Sequence, residues 1–359
     1  MGTSGKEPAQ GRLIDRLLGQ ERVKALLAAD LRAGRLPHAL LITGPAGVGK
    51  STLARAVAQA LLCAHPDISG WGCGICPDCQ AVEAGVHPDL HWLAARDGQR
   101  IGLDLLREWV RQVAALRPAR ANYSVGVLIP ADMLTDAGQN MLLKSLEEPP
   151  ERVKWLLVTE SPAGLLPTVR SRCQQVSLTA LPVALVEAWL VDQGVPQQVA
   201  ASVARLSGGR PAIARELSAE ESAALRRAVA EWVLQLGKVS AHRLFEEAQA
   251  WAEAQDLAKR LETLALVLRD LALVASAHGQ VQQVHELLLV PELKERLVKG
   301  DLRVPESEIF IDLAKEAYQM ARKVGQLGSA RLGVEVLFLR VRDGWHKERS
   351  FERVPAQRR

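Results

Sequence analysis

The segment His38-Ala-Leu-Leu-Ile-Thr43, continued directly by Gly44-Pro-Ala-Gly-Val-Gly-Lys-Ser51, gives the strongest indication of the fold class of this chain. The apolar run is typical of a strand that is buried on both faces in a parallel sheet. The glycine-rich continuation satisfies the pattern G-x-x-x-x-G-K-[ST], and residues 51–62 follow with a helical pattern. A strand, a glycine-rich turn and a helix in this order predict an α/β domain with a parallel sheet.

The glycine-rich turn predicts a phosphate-binding loop. Glycines let backbone N–H groups converge on phosphate oxygens, and the N-terminus of the following helix adds partial positive charge. The pattern assigns Lys50 to the β- and γ-phosphates and the Ser51 hydroxyl to Mg²⁺. The predicted site for ATP and Mg²⁺ consists of Gly44, Gly47, Gly49, Lys50, Ser51 and Thr52. The alternative is a vestigial loop that keeps its shape without binding nucleotide.

A working site of this type also needs an acidic residue at the end of a second strand, where it holds the metal and its water shell. The candidate strand is Val125-Gly-Val-Leu-Ile129, and it continues into Pro130, Ala131 and Asp132. Proline and alanine can neither bind Mg²⁺ nor orient a water molecule. We expect the Asp132 side chain, two residues further on, to point elsewhere. The sequence therefore predicts that this chain does not hydrolyse nucleotide.

Four cysteines are clustered at Cys63, Cys73, Cys76 and Cys79. Their spacing, C-x₉-C-x₂-C-x₂-C, is typical of four thiolates around one structural Zn²⁺ ion, with an iron–sulfur cluster as the main alternative. Four cysteines fill a tetrahedral site, which leaves no open position for catalysis. Two nearby histidines, His65 and His87, are interpreted as surface residues, and the distant Cys173 as a packing residue.

Other patterns give the order of domains. Buried strands are predicted at residues 125–129 and 154–159, and a helix at residues 12–34. Strand patterns end near residue 181, and helices are predicted beyond it. We predict an α/β domain at residues 1–180 with an inserted cysteine module at 63–79, a small helical domain at 181–221, a helical domain at 222–345 and a charged tail at 346–359. Leucines at 257, 261, 264, 268 and 271 lie on one helix face, which we interpret as helix packing.

The composition is that of a globular protein, with 48% hydrophobic and 24% charged residues among 359. A formal charge of +4 is too small to argue for nucleic-acid binding by itself. The first residues lack the apolar centre of a signal peptide, and no apolar run approaches the roughly 20 residues of a membrane span. We therefore expect a cytoplasmic protein without membrane contact.

Five further stretches form one pattern: the cysteine cluster after the predicted helix at 51–62, His87-Pro-Asp-Leu90, Asn140-Met-Leu-Leu-Lys-Ser-Leu-Glu-Glu-Pro-Pro150, Leu166-Pro-Thr-Val-Arg-Ser-Arg-Cys173 and Ser329-Ala-Arg-Leu-Gly-Val-Glu-Val-Leu-Phe-Leu339. Taken together, and more faintly in the last stretch, they resemble the AAA+ clamp-loader family and, within it, the delta-prime subunits of bacterial DNA polymerase III. The resemblance implies an AAA+-like nucleotide domain, a helical lid and a helical collar. It also makes Thr159 and Arg210 candidates for nucleotide-sensing positions.

The same resemblance implies a function. Such a chain would act as a stator in a hetero-pentameric ring with motor and delta-type subunits, which loads the sliding clamp onto primer-template DNA. Arg172 would act in trans as an arginine finger on the nucleotide of a neighbouring motor subunit. Two alternatives stay open: a hydrolysing AAA+ motor, favoured by the intact phosphate loop, and a zinc-dependent DNA-binding protein, opposed by the mixed charges around the cysteines.

Overall fold

The computed structural model describes residues 11–346, except residues 96–98, 115–116, 327 and most of 277–308, where only 288–290, 293, 294, 296, 299 and 304 are described. Its five strands are β1 Ala39–Thr43, β2 Leu90–Ala94, β3 Ser124–Ile129, β4 Val153–Thr159 and β5 Gln174–Ser177. Its helices are α1 Glu21–Arg32, α2 Lys50–Leu62, α3 Pro77–Ala84, α4 Leu103–Ala114, α5 Asp136–Glu147, α6 Pro167–Ser171, α7 Val183–Asp192, α8 Gln197–Leu206, α9 Pro211–Ser218, α10 Glu220–Gln235, α11 Ala241–Glu253, α12 Leu257–Ser276, α13 Ile309–Arg322 and α14 Ala330–His346.

The strands form one parallel sheet in the order β2-β3-β4-β1-β5. Strand β1 is buried along its whole length. Alternate β1 residues enter two different hydrophobic clusters, Leu40 and Ile42 in one and Ala39 and Leu41 in the other, so both faces of the sheet are covered. This explains the apolar run in the sequence and confirms the predicted parallel sheet. Because the strands are parallel, their carboxyl ends share the edge at which the glycine-rich loop begins.

Two predictions about local structure need correction. The helix predicted at residues 12–34 is wrong, because a 3₁₀ turn at Leu13–Arg16 is separated from α1 by Gly19 and Gln20 in left-handed conformation, with φ values of 60° and 62°. Strands β2 and β5 were not predicted. The short strand β5 lies at the sheet edge and reads Gln-Gln-Val-Ser, with only Val176 buried, so it carries no apolar run.

The described residues group into two compact units. One comprises the chain up to Val186 together with Gly208–Ile213, and the other comprises Glu187–Ser207 and the chain from Ala214 onward. The predicted lid and collar boundaries, 181–221 and 222–345, stay predictions, and residues 347–359 of the predicted tail lie outside the described residues. No helix in the described part of the chain is long and apolar enough to cross a membrane.

In the second unit, helices α10 to α14 pack around one hydrophobic cluster. All of the predicted leucine stripe, from Leu257 to Leu271, is buried in that cluster, which confirms its interpretation as helix packing. Phe338 of α14 packs against two tryptophans, with ring centroids 5.7 Å from Trp232 and 5.0 Å from Trp251. The predicted α/β domain with a parallel sheet, followed by helices, is confirmed.

Candidate nucleotide and metal sites

The phosphate loop joins β1 to α2 in a conformation that only glycines adopt readily. Gly44, Gly47 and Gly49 have φ values of 143°, 77° and 103°. A side chain at Gly44 would also meet the Leu178 carbonyl oxygen at 2.4 Å. The loop is held from outside as well, because the Ala212 N–H at the start of α9 donates to the Gly47 carbonyl over 3.0 Å. The glycines of the motif are therefore required by both backbone conformation and space.

Lys50 opens α2 and is 7% exposed. Its ammonium group donates to the Pro45 carbonyl at 2.7 Å and to a carboxylate oxygen of Glu160 at 3.3 Å. Ser51 is exposed and Thr52 is half-buried, both within the first turn of α2. The structure thus brings the six predicted residues of the nucleotide site together around one loop and adds Glu160, which the sequence did not single out.

The second strand ends without an acidic residue, as the sequence predicts. After β3 the chain passes through Pro130 and the fully buried Ala131 into a 3₁₀ turn. The Asp132 carboxylate accepts a hydrogen bond of 2.5 Å from the Thr159 hydroxyl at the end of β4. The same hydroxyl accepts from the Ser161 N–H over 3.0 Å. Asp132 and Thr159 are therefore bonded to each other, which ties two strand ends together.

The four clustered cysteines lie as close as ligands of one metal ion. All four sulfur atoms are within 4.8 Å of one another, and the pairs Cys63–Cys73, Cys63–Cys76 and Cys73–Cys79 are 3.6, 3.8 and 3.9 Å apart. A tetrahedron with Zn–S bonds of about 2.3 Å has edges of about 3.8 Å. Three of the sulfur–sulfur distances match such edges, so the cluster is spaced to hold a metal ion of that size.

Backbone N–H groups support the sulfur atoms. The N–H groups of Cys73, Cys76 and Cys79 each point at a sulfur atom of the preceding cysteine in the cluster, over 3.4 Å. Burial raises the pKa of the Cys63 thiol. At Cys73 burial acts in the same direction, but N–H donors from Ile75 and Cys76 outweigh it and lower the pKa to about 7. At Cys73 the donors thus favour the thiolate, which is the form that binds metal, whereas burial raises the pKa of Cys79.

The prediction of a surface position holds for His65, which is exposed, but is wrong for His87, which is 2% exposed. The Nδ1 atom of His87 accepts from the Asp89 N–H over 3.1 Å, and its Nε2 atom lies 3.5 Å from Asp78 of α3. The buried Asp89 carboxylate accepts from the N–H groups of residues 119, 120 and 121 over 2.6, 2.9 and 2.8 Å. The His-Pro-Asp motif therefore joins the cysteine module to the sheet domain.

Arg172 directly follows α6, and its side chain is 35% exposed. The guanidinium forms an ion pair of 2.6 Å with Glu147 at the end of α5 and donates to the Thr168 carbonyl over 2.9 Å. The two stretches that carried the family resemblance, Leu-Glu-Glu-Pro-Pro and Ser-Arg-Cys, thus meet through this pair. Cys173 packs in the sheet core, as predicted, and burial raises its pKa to about 11.

Gln139 is a buried residue of α5 that the sequence did not single out. Its side-chain amide donates to the Gly164 carbonyl over 3.1 Å and accepts from the Leu166 N–H over 2.6 Å. These bonds fix the chain just before α6. In the sequence, Gln139 lies three and seven positions before Leu142 and Leu146, so a polar residue on the apolar face of this helix is a signal that could have indicated it.

The chain is similar in sequence to subunits of DNA polymerase III. Residues 19–182 match the family model described as DNA polymerase III, delta subunit. The chain is 39% identical over 196 residues to DNA polymerase III subunit delta' of Escherichia coli (strain K12), covering 53% of this chain and 57% of the relative. It is 40% identical over 167 residues to DNA polymerase III subunit tau of the same organism, covering 46% of this chain and 25% of the relative.

Among solved structures, a DNA polymerase III gamma subunit-related protein from Thermotoga maritima matches with a TM-score of 0.44 and 16% identity, over 89% of this chain and 99% of that one. The chain spans less than two thirds of the length of the two sequence relatives, 57% of the delta' subunit and 25% of the tau subunit. The chain is therefore similar at residues 19–182 to the family described as DNA polymerase III, delta subunit, and over about half of its length to delta' and tau subunits.

Proposed function

We propose that this chain is a stator subunit of a DNA polymerase III clamp loader. It occupies one place in a hetero-pentameric ring with motor and delta-type subunits, and the ring loads a sliding clamp onto primer-template DNA. The chain donates Arg172 in trans to the nucleotide of a neighbouring motor subunit. Its four cysteines hold a structural Zn²⁺ ion, and its own phosphate loop binds ATP without turning it over.

The observation that carries this proposal is the position of Arg172. Its side chain is partly exposed at the end of a short helix, with the neighbouring Cys173 buried and Gln139 bonding the chain before that helix. A planar, permanently charged guanidinium at a fixed surface point suits phosphate oxygens of another subunit. Stabilisation of this kind contributes roughly 10³–10⁵ in rate where it has been measured in other NTPases.

The test is a reconstituted loader in which only this subunit is changed. With Arg172→Ala we expect assembly and metal content to be unchanged and the DNA- and clamp-stimulated ATPase to fall. The fall is partial, because a ring with several ATP sites loses only one. Arg172→Lys should rescue poorly, because an ammonium cannot fork onto two oxygens. Arg170→Ala is the matched control, because Arg170 is an exposed arginine on α6, two positions before Arg172. Wild-type ATPase and clamp loading with Arg172→Ala would contradict the trans role.

The second candidate function is that of a hydrolysing motor. It is favoured by the intact phosphate loop and by the 40% identity to a tau subunit. Pro130 and Ala131 at the end of β3 oppose it, because neither can hold Mg²⁺ or orient water, and the Asp132 carboxylate beyond them is bonded to the Thr159 hydroxyl. Steady-state ATPase of the isolated chain separates the two. Turnover near ~1 s⁻¹, the lower end for working phosphotransfer enzymes, that disappears in Lys50→Ala would establish a motor.

A further inference from the structure

The phosphate loop carries an acidic residue that belongs to no part of its motif. Glu160 directly follows β4, and the sheet register places Thr159 opposite Thr43, the last residue before the loop. Glu160, one residue beyond the end of β4, therefore lies at the same edge of the sheet as the loop. Its carboxylate lies 3.3 Å from the Lys50 ammonium, and its side chain is 55% exposed whereas that of Lys50 is 7% exposed.

We infer that Glu160 is an internal counterion of Lys50 that competes with nucleotide phosphate and so sets the affinity of this loop for ATP. The inference rests on the proposed nucleotide-binding role of the loop. The ammonium already donates to Pro45 within the loop and to Glu160 across from it. An incoming phosphate must take over donors that Glu160 occupies, and it meets the negative charge of the carboxylate at close range.

The geometry distinguishes this role from that of a metal ligand. The acid that holds the metal in such sites acts together with the Ser/Thr hydroxyl of the loop on the Mg²⁺ ion. Here the Glu160 carboxylate contacts Lys50, the residue predicted to bind phosphate. In the described part of the chain it forms no hydrogen bond with Ser51. Glu160 is thus placed to weaken phosphate binding rather than to replace the acid that β3 lacks.

The size of the effect follows from the exposure of the pair. An ion pair with one exposed partner contributes about 0.2–1 kcal/mol, which corresponds to roughly a 1.5- to 5-fold change in affinity. Glu160→Gln keeps the shape of the side chain and removes its charge. We therefore expect Glu160→Gln to bind ATP roughly 1.5- to 5-fold more tightly than the wild-type chain. The gain should shrink as salt screens the charges.

The experiment is isothermal titration calorimetry of the full chain with ATP, once in EDTA and once in excess Mg²⁺. Glu151→Gln is the matched control, because Glu151 is exposed and precedes the opposite end of β4, about 25 Å away along the strand. Lys50→Ala tests whether binding occurs at the loop at all. Tighter binding by Glu160→Gln in both buffers, with no change in Glu151→Gln, supports the inference.

Other outcomes overturn it in distinguishable ways. Unchanged affinity in Glu160→Gln, with binding still lost in Lys50→Ala, contradicts the counterion role and leaves the nucleotide site standing. Weaker binding in Mg²⁺ alone assigns Glu160 to the metal instead. Absence of binding in both the wild-type chain and Glu160→Gln contradicts the nucleotide site and this inference together, whereas the stator role is tested separately through Arg172.

Discussion

The cysteine cluster and the phosphate loop both match well-known sequence patterns, but they differ in how much of the required site the pattern itself supplies. All four candidate metal ligands lie between Cys63 and Cys79, and the chain folds them to within 4.8 Å of one another, close enough for one ion. The phosphate loop supplies only the cradle. Its metal-holding partner must come from another strand, and there the chain has Pro130 and Ala131.

This difference shows what a local motif can establish. A motif whose functional atoms all lie within one short segment is close to a complete prediction of a site. A motif whose partner residues are distant in sequence predicts a shape, and the chemistry depends on residues elsewhere. Lys50 illustrates the second case, because its contact Glu160 is 110 positions away in the chain. The predictions below test each side of this contrast, starting with the largest expected effect.

The first prediction concerns the complete site. The purified chain should carry about one Zn²⁺ ion, and Cys79→Ser should lose it and unfold the module around α3, because structural zinc contributes on the order of 10 kcal/mol. Elemental analysis measures the metal, and limited proteolysis between residues 63 and 85 measures the loosening. Cys173→Ser, which alters a cysteine outside the cluster, is the control and should retain the metal. Iron, or no metal, in the wild-type chain would contradict the zinc assignment.

The second prediction separates the metal site from its connection to the sheet. Asp89→Asn should retain the metal but cost ~1–3 kcal/mol of unfolding free energy, because an amide offers one acceptor oxygen to the three N–H groups that the buried carboxylate now accepts. Urea unfolding followed by circular dichroism measures the cost. Loss of metal in Asp89→Asn would instead show that the cysteine cluster depends on this connection and is not complete in itself.

The same variant has a pH signature. Burial opposes ionisation of Asp89, but the N–H donors outweigh burial and lower its pKa below the usual range. A carboxyl group whose pKa is lowered by folding stabilises the protein above its unfolded pKa of about 3.9 and loses this contribution as the pH falls through the folded value. The difference in stability between the wild-type chain and Asp89→Asn should therefore be full at neutral pH and shrink below about pH 4.

The sequence predicted what local patterns encode. The apolar run of β1 and the leucine stripe of α12 each follow from neighbouring residues, and each is confirmed. The glycines of the loop have positive φ values, and nucleotide binding there stays a prediction. The sequence missed features that depend on distant partners. Strand β5 forms because β1 offers a free edge, although its own sequence is polar. His87 is buried, with its Nδ1 atom accepting from the Asp89 N–H and its Nε2 atom 3.5 Å from Asp78, contacts that spacing alone does not reveal.

The third prediction, with the smallest effect, concerns the ion pair between Arg172 and Glu147. Both side chains are more than one third exposed, at 35% and 48%, so the pair should contribute no more than ~1 kcal/mol to stability. Glu147→Gln should therefore shift the urea midpoint only slightly in the isolated chain. The control Glu148→Gln, on the adjacent residue, should do the same.

In the reconstituted loader the same variant tests how Arg172 works. To reach the phosphate of a neighbouring subunit, Arg172 has to leave Glu147 or share its N–H donors between the two. The ion pair is therefore a contact of the free subunit and is not needed for catalysis. Its loss in Glu147→Gln should leave the stimulated ATPase at or above the wild-type rate. Under the proposed function Arg172→Ala lowers that rate. The two variants should therefore differ in stimulated ATPase rate, although both break the same ion pair. A loss in Glu147→Gln as large as in Arg172→Ala would instead make Glu147 the residue that holds the arginine in its working position.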